Sequence, residues 1–358
     1  MKITEKRCKP LAVQIKGNDR NTVDENGFGC RSLFFMEGKH MYTTISTAGM
    51  SREEWLKLRK NGIGGSDAGA ICGLNPYSSA MNVYQDKTSE TTEDIDNEAM
   101  RLGRDLEDYV AKRFTEETGL KVRRSRQMYV SKDHPFMFAD VDRLIVGEDA
   151  GLECKTASAY SADKWKDGAV PAHYALQCFH YMAVTGKRSW YIAALILGQE
   201  FCWTKLSWDD EIIRNMILLE ENFWNGQVVP RKIPDPDGSK ACDAVLEQYF
   251  HVARKESCIP LVDFDWKLER RMELSGQIKA LEQEQKRIDQ EIKLYMGDHE
   301  LAVSDRYQVS WINVNTARLD TARLKAEQPE IYQRFVKVSG SRKFTCRQRQ
   351  ESDQREAA

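Results

Sequence analysis

Two neighbouring segments, Ala139-Asp-Val-Asp-Arg143 and Leu152-Glu-Cys-Lys-Thr156, place charged side chains inside runs that otherwise have the pattern of β-strands. The sequence between them, Gly147-Glu-Asp-Ala-Gly151, is typical of a hairpin turn. Because successive side chains of a strand point to opposite faces, Glu153 and Lys155 share one face. The two segments therefore predict a cluster of charged groups beside a hairpin.

The residue types in this cluster indicate a particular chemistry. Asp142 and Glu153 would repel each other at close range, unless a divalent cation lies between them. Leu152 and Cys154 flank Glu153 with apolar side chains, which predicts a central strand where an unpaired charge is costly. A lysine beside the cation, Lys155, could hold a water molecule and stabilise charge on a phosphate. Metal-assisted hydrolysis of a phosphodiester requires these groups.

Composition excludes several classes of protein. Of the 358 residues, 41% are hydrophobic and 30% are charged, which is typical of globular proteins. The longest apolar run, Trp190–Leu197, is far shorter than the roughly 20 residues of a membrane-spanning helix. No secretory signal is visible, and the nine cysteines are scattered without a Cys-x-x-Cys pair, which argues against a disulfide framework or a zinc ribbon. We expect a cytoplasmic protein with no membrane contact.

Hydrophobic periodicity predicts an α/β unit over about 180 residues. Ser51 and Glu54 form a capping-box pattern that begins a helix, and this helix ends at Asn61-Gly62. A short helix follows the glycine-rich turn, and the acidic residues 86–98 are expected to form a solvated loop. Further helices are predicted over residues 99–118, 173–184 and 209–223, and strands at residues 122, 128–130, 136–146, 152–156, 190–197 and 200–206.

Beyond Ser239 helical spacing resumes, and apolar residues from Leu274 to Tyr295 follow a nearly heptad spacing with Gln285 at one seam position. We interpret this seam as a helical hairpin packed on its own chain, and a contact between copies of the chain is the alternative. A small strand-rich piece is predicted after it, at residues 307–314, 335–338 and 343–345, and the polar tail after Arg347 is expected to be disordered.

Five motifs stand in an order that resembles a known family. They are Arg59…Gly62-Ile-Gly-Gly-Ser66-Asp67, Gly103-x3-Glu107, Ala139-Asp-Val-Asp142-Arg143, Glu153-Cys-Lys155 and Tyr174-x-x-Gln177. This set resembles the YqaJ-like viral recombinases, which are phage-type exonucleases similar to lambda exonuclease within the PD-(D/E)XK nuclease superfamily. The resemblance covers residues 51–226.

The resemblance implies roles for five residues of the cluster. Asp142 and Glu153 would be metal-binding carboxylates, and Lys155 would position the nucleophilic water. Glu107 would complete the metal site or its water shell, and Gln177 would border the active site on the helix after the core strands.

One motif departs from the family pattern. The first carboxylate is usually found in Pro-Asp-Gly, whereas this chain has Val141-Asp142-Arg143. Asp140 is therefore a rival for the metal ligand, and we favour Asp142 on its place in the pattern.

The resemblance also implies a DNA-binding surface. Arg59 and Ser66 match a pair that grips a 5'-phosphate, in keeping with the fork that arginine presents to phosphate oxygens. A glycine-rich turn before a helix would add backbone N–H groups. Arg123 and Arg124, in a basic run with Lys121 and Arg126, either line the DNA path or form a solvated face.

These observations predict a PD-(D/E)XK core, with a central mixed sheet flanked by helices, a C-terminal helical extension and a small strand-rich piece. The predicted limits are an N-terminal extension (1–48), a nuclease domain (49–232), a helical extension (233–300), the strand-rich segment (301–346) and a disordered tail (347–358).

By resemblance, the expected activity is Mg2+-dependent degradation of linear double-stranded DNA from 5' ends, with Mn2+ as an alternative metal. The 3' single strands left behind would pass to a RecT-like single-strand annealing protein in a phage or prophage setting. A ring-shaped homo-oligomer is a further expectation from the family. An endonuclease with the same core and a non-catalytic DNA-binding accessory protein are the alternatives.

Overall fold

The structure is a computed structural model that describes residues 41–91, 96–338 and 340–349. The chain divides into two compact units, one ending at Tyr249 and one beginning at Phe250. Most of the predicted N-terminal extension and most of the predicted disordered tail lie outside the described residues. The first unit continues past the predicted nuclease limit at residue 232, because helix α7 (Lys240–Tyr249) packs against helix α3 (Ala80–Thr88) through Met81, Cys242 and Val245.

Capping residues predict one helix start and two helix ends of the first unit. Ser51 and Glu54 form the expected capping box, and Gly119 and Gly186 end two helices in the left-handed conformation. The helices before α7 are α1 (Arg52–Arg59), α2 (Gly65–Ile71), α3, α4 (Glu98–Thr118), α5 (Ala172–Thr185) and α6 (Asp210–Phe223), with a 3-10 segment at Ala159–Gly168 and a π-helical turn at Trp224–Val228.

Two mixed sheets are formed by the described residues of this unit. The strands are β1 (Tyr42–Ser46), β2 (Ile63–Gly64), β3 (Val122–Arg124), β4 (Gln127–Ser131), β5 (Met137–Asp140), β6 (Arg143–Ile145), β7 (Ala150–Ala157), β8 (Ser189–Ile196) and β9 (Glu200–Ser207). One sheet has the order β1-β4-β5-β2 and the other has the order β3-β6-β7-β8-β9. The β2–β5 and β7–β8 pairs are parallel and the others are antiparallel, which confirms the predicted mixed α/β class.

Helices cover both faces of the five-stranded sheet. Alternate residues of β8 face opposite ways, so Ile192 and Ala194 pack in the cluster that contains α5, whereas Tyr191 and Ala193 pack with α4. Leu152 of β7 lies on the α4 face, and its neighbours along the strand face the other side. This alternation directs the polar residues of β7 towards α5.

The prediction of one continuous strand over residues 136–146 is wrong. It breaks at Val141–Asp142 into β5 and β6, which belong to different sheets. The Asp142 side chain accepts the Cys154 N–H at 2.8 Å, a hydrogen bond that a ladder carbonyl would otherwise accept. The break therefore places Asp142 at the junction of the two sheets.

The predicted loop over residues 86–98 also needs correction. Helix α3 continues through Thr88 with Ser79 as its N-cap, and residues 92–95 lie outside the described residues. Residues 86–88 are the end of this helix. Its buried apolar residues, Met81, Val83 and Tyr84, all precede the acidic stretch, so the composition of that stretch gave no sign of a helix.

The second unit consists of helix α8 (Asp265–Met296), a hairpin of β10 (Leu301–Val303) and β11 (Gln308–Ser310), and helices α9 (Thr321–Glu327) and α10 (Pro329–Phe335). The prediction of strands at residues 335–338 and 343–345 is wrong, because the described residues there form no sheet. Apolar residues scattered through a polar segment do not distinguish a strand from a short helix. No described helix of either unit combines the length and the apolarity needed to cross a membrane.

Candidate active site

The predicted charged cluster is present on β7. Glu153 and Lys155 point to the same face, and the Lys155 ammonium lies 2.6 Å from the Glu153 Oε1 atom. Together with Asp142 they line a cleft of about 240 Å3 that opens to solvent. Residues of both sheets and of α1, α2 and α5 form its walls. Only 3% of the Glu153 side chain and 20% of the Lys155 side chain are exposed, so the cleft holds charges in a poorly solvated place.

Burial and mutual repulsion dominate the electrostatics of the carboxylates. Burial, and then the charges of Glu153 and Glu107, raise the pKa of Asp142 well above its ordinary value. Burial also raises the pKa of Glu153, although the adjacent Lys155 ammonium opposes that shift. Burial alone lowers the pKa of Lys155, but Glu153 and Asp142 raise it by more, and the net shift is upward. The Lys155 ammonium therefore compensates the negative charge of this site only in part.

The donor set fits a divalent cation. The Glu153 Oε2 atom is buried and has no hydrogen-bond partner, whereas Oε1 accepts from both Lys155 and Gln177. An unsatisfied buried carboxylate oxygen next to a second carboxylate is suited to Mg2+, which binds few protein carboxylates and takes its other ligands from water and phosphate. Among the described residues, no group of three or more His, Cys, Asp or Glu side chains is arranged around a metal position. The site thus offers Asp142 and Glu153.

Gln177 is placed by the close approach of α2 to α5. Its side-chain amide donates to Glu153 at 2.7 Å and to the Tyr181 hydroxyl at 2.9 Å. A Cβ atom at Gly65 would lie 2.5 Å from the Tyr181 ring, so glycine is required where the two helices meet. The structure therefore places Gln177 beside the Glu153 carboxylate, on the cleft wall.

Arg59 and Ser66 meet at the mouth of the same cleft. The Arg59 guanidinium donates to the Ser66 hydroxyl at 2.9 Å and lies 3.6 Å from Asp67. Two N–H groups of the turn before α2 are already used, because Asp67 accepts the Gly64 N–H at 2.9 Å and the carbonyl of Phe136 accepts the Ile63 N–H. The Arg59 and Ser66 side chains both line the cleft, where an anion could contact them.

Comparison with known proteins identifies the family of this chain. Residues 54–188 match the YqaJ-like viral recombinase domain. The uncharacterized protein YqaJ of Bacillus subtilis (strain 168) is 36% identical over 313 residues, which cover 86% of this chain and 98% of that protein. This chain belongs to the YqaJ-like viral recombinase family.

Solved structures similar to this YqaJ-like chain include LHK-Exo, an alkaline exonuclease from Laribacter hongkongensis. Its complex with dAMP is 19% identical, with a TM-score of 0.44, and the match covers 56% of this chain and 100% of that one. A phage-related exonuclease from Haemophilus somnus 129PT is 10% identical, with a TM-score of 0.36, and the match covers 49% of this chain and 99% of that one.

The predicted ligand Glu107 is engaged elsewhere in this YqaJ-like chain. Its carboxylate pairs with the Arg143 guanidinium, which also pairs with Asp108. Arg143 is buried, and it stands where the family's Pro-Asp-Gly pattern has glycine. Glu107 acts on the cleft through its charge, which raises the pKa of Asp142, and it does not line the cleft wall.

Asp140 and Trp55 form a contact of their own on the cleft wall. The Trp55 indole N–H donates to the Asp140 carboxylate at 2.7 Å. Arg52 and Arg59 each lie over the Trp55 ring, at 4.5 and 4.9 Å from its centroid. Asp140 therefore holds the tryptophan that supports Arg59, whereas Asp142 faces the carboxylate of Glu153.

The basic residues of β3 are placed outside the cleft. Arg124 pairs with Asp108 at 2.8 Å and lies 3.6 Å from Glu107, so α4 already neutralises much of its charge. Arg123 is exposed on the same strand. The structure does not bring either residue to the cleft with Arg59 and Ser66.

Sequence reasoning missed Lys87, whose side chain is fully buried. Its ammonium lies 2.8 Å from Asp67 and donates to the Arg59 carbonyl at 3.1 Å. Burial alone raises the pKa of Asp67, but Lys87 and then Arg59 lower it by more, to about 2. The sequence could have indicated an ion pair here, because a lysine on an apolar helix face requires an acidic partner. Nothing in the sequence indicated that the partner is Asp67.

Proposed function

We propose that this chain is a divalent-cation-dependent deoxyribonuclease that degrades linear double-stranded DNA from 5' ends. The observation that carries the proposal is the convergence of Asp142, Glu153 and Lys155 in a cleft open to solvent. Membership in the YqaJ-like viral recombinase family supports a phage-type recombination nuclease. The PD-(D/E)XK arrangement predicted from the motifs supports phosphodiester hydrolysis.

Each residue of the cleft has a separate role in the proposed reaction. Asp142 and the unpartnered Oε2 of Glu153 would hold Mg2+, or Mn2+ in its place, which supplies a Lewis acid and lowers the pKa of water. Lys155 donates hydrogen bonds from a charged ammonium, so it orients water and stabilises the negative charge that grows on the phosphate. Gln177 keeps the Glu153 carboxylate in place. Glu107 contributes through the field it creates at Asp142.

Arg59 and Ser66 would grip the terminal phosphate. The guanidinium is 27% exposed at the cleft mouth, and Asp67 and the Trp55 ring hold it there. A fixed guanidinium binds a phosphate with two parallel hydrogen bonds. Because a 5'-terminal phosphate carries more negative charge than an internal one, this position favours ends over internal bonds.

The proposed activity also implies a substrate and a downstream partner. The proposed substrate is double-stranded DNA, and Arg123, which is exposed on β3, would contact its backbone. A 5'-to-3' exonuclease leaves 3' single strands, so a RecT-like annealing protein is the expected downstream partner. We also propose a homo-oligomer and a place in the cytoplasm of a bacterial host.

One digestion experiment tests the proposal. Linear duplexes with 5'-phosphate or 5'-hydroxyl ends are incubated with the protein and Mg2+ beside a closed circle, and matched samples contain a chelator. We expect degradation of the phosphorylated linear duplex only with the metal present, and an intact circle. A cut circle would identify an endonuclease with the same core. No cleavage of any substrate, with DNA binding retained, would identify an accessory protein.

The Arg59→Ala variant tests the phosphate grip. We expect the preference for 5'-phosphate over 5'-hydroxyl ends to fall by about tenfold or more, because a charged hydrogen bond to phosphate is lost. The control is Arg101→Ala on the exposed face of α4, which should keep the wild-type preference. An unchanged ratio of the two turnover rates in Arg59→Ala would contradict the grip.

A further inference from the structure

Helix α8 of the second unit exposes a row of apolar side chains. The row, called the α8 seam, contains Leu274, Ile278, Leu281, Gln285, Ile288, Ile292 and Tyr295. Ile292 is half-buried, and the other apolar members are 41% exposed at Leu274 to 91% exposed at Tyr295. The expected helical hairpin on this seam is wrong, because α8 is one continuous helix and, among the described residues, most of its apolar row is exposed.

The α8 seam has the spacing of a coiled-coil interface. Its members alternate by four and three residues without a break, which assigns Ile278, Gln285 and Ile292 to heptad position a and the other four to position d. The row spans about 30 Å of helix. A polar residue at a central a position is a device that fixes the register of a helical pair.

The positions that flank the seam carry one sign of charge. In the two central heptads, all four e and g positions are acidic, namely Glu282, Glu284, Asp289 and Glu291. Arg287 lies 3.6 Å from Glu291, and the other three acids form no ion pair with another described residue. The basic residues of this stretch lie at outer positions, namely Lys279, Lys286, Arg287 and Lys293.

This charge pattern disfavours a second copy of the chain as the occupant. In a parallel pair, a g residue faces the following e residue of the other helix, so Glu284 would face Asp289 of the second copy. In an antiparallel pair, acids would face acids again. Like charges at e and g positions oppose pairing, and opposite charges select the partner.

We propose that the α8 seam binds an amphipathic helix of another protein whose flanking e and g positions are lysine or arginine. The partner helix supplies branched apolar residues to the seam and a polar residue opposite Gln285. The α8 seam belongs to the second unit, whereas every residue that lines the cleft belongs to the first unit.

Designed peptides test the proposal on the full-length chain. The probe is a helix of about four heptads with isoleucine and leucine at a and d, one asparagine opposite Gln285, and lysine at e and g. One control has glutamate at e and g, and a second is a scrambled peptide of the probe's composition. By fluorescence anisotropy, we expect the lysine peptide to bind at least about tenfold more tightly than either control.

Paired variants locate the binding surface. Leu281→Asp on the seam should abolish binding of the lysine peptide, whereas Leu294→Asp should leave binding unchanged, because Leu294 is also largely exposed but lies off the seam. Reversal of the four flanking acids to lysine should switch the preference to the glutamate peptide. DNA cleavage by Leu281→Asp should match wild type, which shows that the nuclease unit is folded.

Three outcomes would overturn the proposal. Equal binding of the lysine and scrambled peptides would show that charge alone is recognised. Absence of binding by either heptad peptide would show that the seam is covered or not competent. Sedimentation that reveals a concentration-dependent dimer, lost in Leu281→Asp but kept in Leu294→Asp, would identify a second copy as the occupant.

Discussion

Asp140 and Asp142 are two residues apart, yet their carboxylates face different partners. Asp142 accepts the Cys154 N–H and is repelled by Glu153, whereas Asp140 accepts the Trp55 indole N–H. Burial raises the pKa of Asp140, and the Trp55 hydrogen bond opposes that shift. These contacts favour Asp142 as the ligand and give Asp140 a role in supporting Arg59.

The comparison of Asp142→Asn with Asp140→Asn follows from this difference. We expect Asp142→Asn to lower kcat/KM for Mg2+-dependent digestion about a thousandfold or more, because a ligand oxygen is lost. Asp140→Asn keeps an oxygen for Trp55 and should lower it by about tenfold at most. Both rates are measured on a phosphorylated linear duplex, with circular dichroism as the folding control. An Asp140→Asn loss as large as that of Asp142→Asn would exchange the two roles.

At this scale, sequence reasoning was sufficient for some residues and insufficient for others. Strand alternation places Glu153 and Lys155 on one face whatever the rest of the fold does. The ion pair between Glu107 and Arg143 could not be foreseen, because it depends on the distance between α4 and β6. The partner of Lys87 depends likewise on how α3 packs beside α2.

Among the elements, α2 and α3 are joined by a buried ion pair that supports the cleft mouth. The Asp67 side chain is 13% exposed, and it contacts Lys87 of α3, Arg59 of α1 and the Gly64 N–H. These contacts stabilise the charged carboxylate, and they explain why its pKa falls to about 2. The pair thus fixes three elements relative to one another.

A pH dependence of stability follows from Asp67. Because its pKa is lower in the folded chain than the ordinary 3.8, the unfolded chain binds the proton first as the pH falls. The stabilisation is complete above about pH 4 and is lost as the pH falls through about 2, with a size of about 2 kcal/mol.

The measurement compares the free energy of unfolding of wild type and Asp67→Asn by urea denaturation at several pH values. The difference between the two proteins should shrink by about 2 kcal/mol between about pH 5 and about pH 2. The comparison cancels the titration of the other acids. A difference that is the same at both ends of this range would show that Asp67 is not held as an ion.

Periodicity and caps explain which elements could be predicted. Helices α4 and α5 carry long apolar patterns that end at Gly119 and Gly186, so their limits agree with prediction to about one residue. The break between β5 and β6 has no such signal, since residues 136–146 are apolar throughout except at Asp140, Asp142 and Arg143. The break depends instead on the hydrogen bond that the Asp142 carboxylate accepts from the Cys154 N–H of β7.

In the whole molecule, every residue that lines the cleft belongs to the first unit. The second unit contributes none of them, and within the described residues it buries few apolar side chains beyond Met296. Its short strands and helices therefore could not be read from hydrophobic pattern, which reports burial more than secondary structure. The proposed catalytic surface and the proposed partner-binding surface therefore belong to different units.

Truncation of the chain tests whether the first unit is sufficient for cleavage and whether the second unit is necessary for peptide binding. A chain that ends at Tyr249 should keep kcat/KM on a short linear duplex within about threefold of the full chain, because compact units of this size fold on their own. It should lose binding of the lysine-flanked peptide entirely. Full-length protein with Leu294→Asp is the control for both assays. A truncated chain that is folded but inactive would show that the second unit takes part in cleavage.

The most direct test of the account removes the ammonium beside the two carboxylates. Lys155→Ala should lose Mg2+-dependent cleavage of an end-labelled linear duplex by about a thousandfold, while its DNA affinity stays within a few-fold of wild type. Lys112→Ala, which removes a lysine 72% exposed on α4, should cleave at the wild-type rate. Cleavage by Lys155→Ala at the rate of Lys112→Ala would contradict the assignment of the cleft as a hydrolytic site.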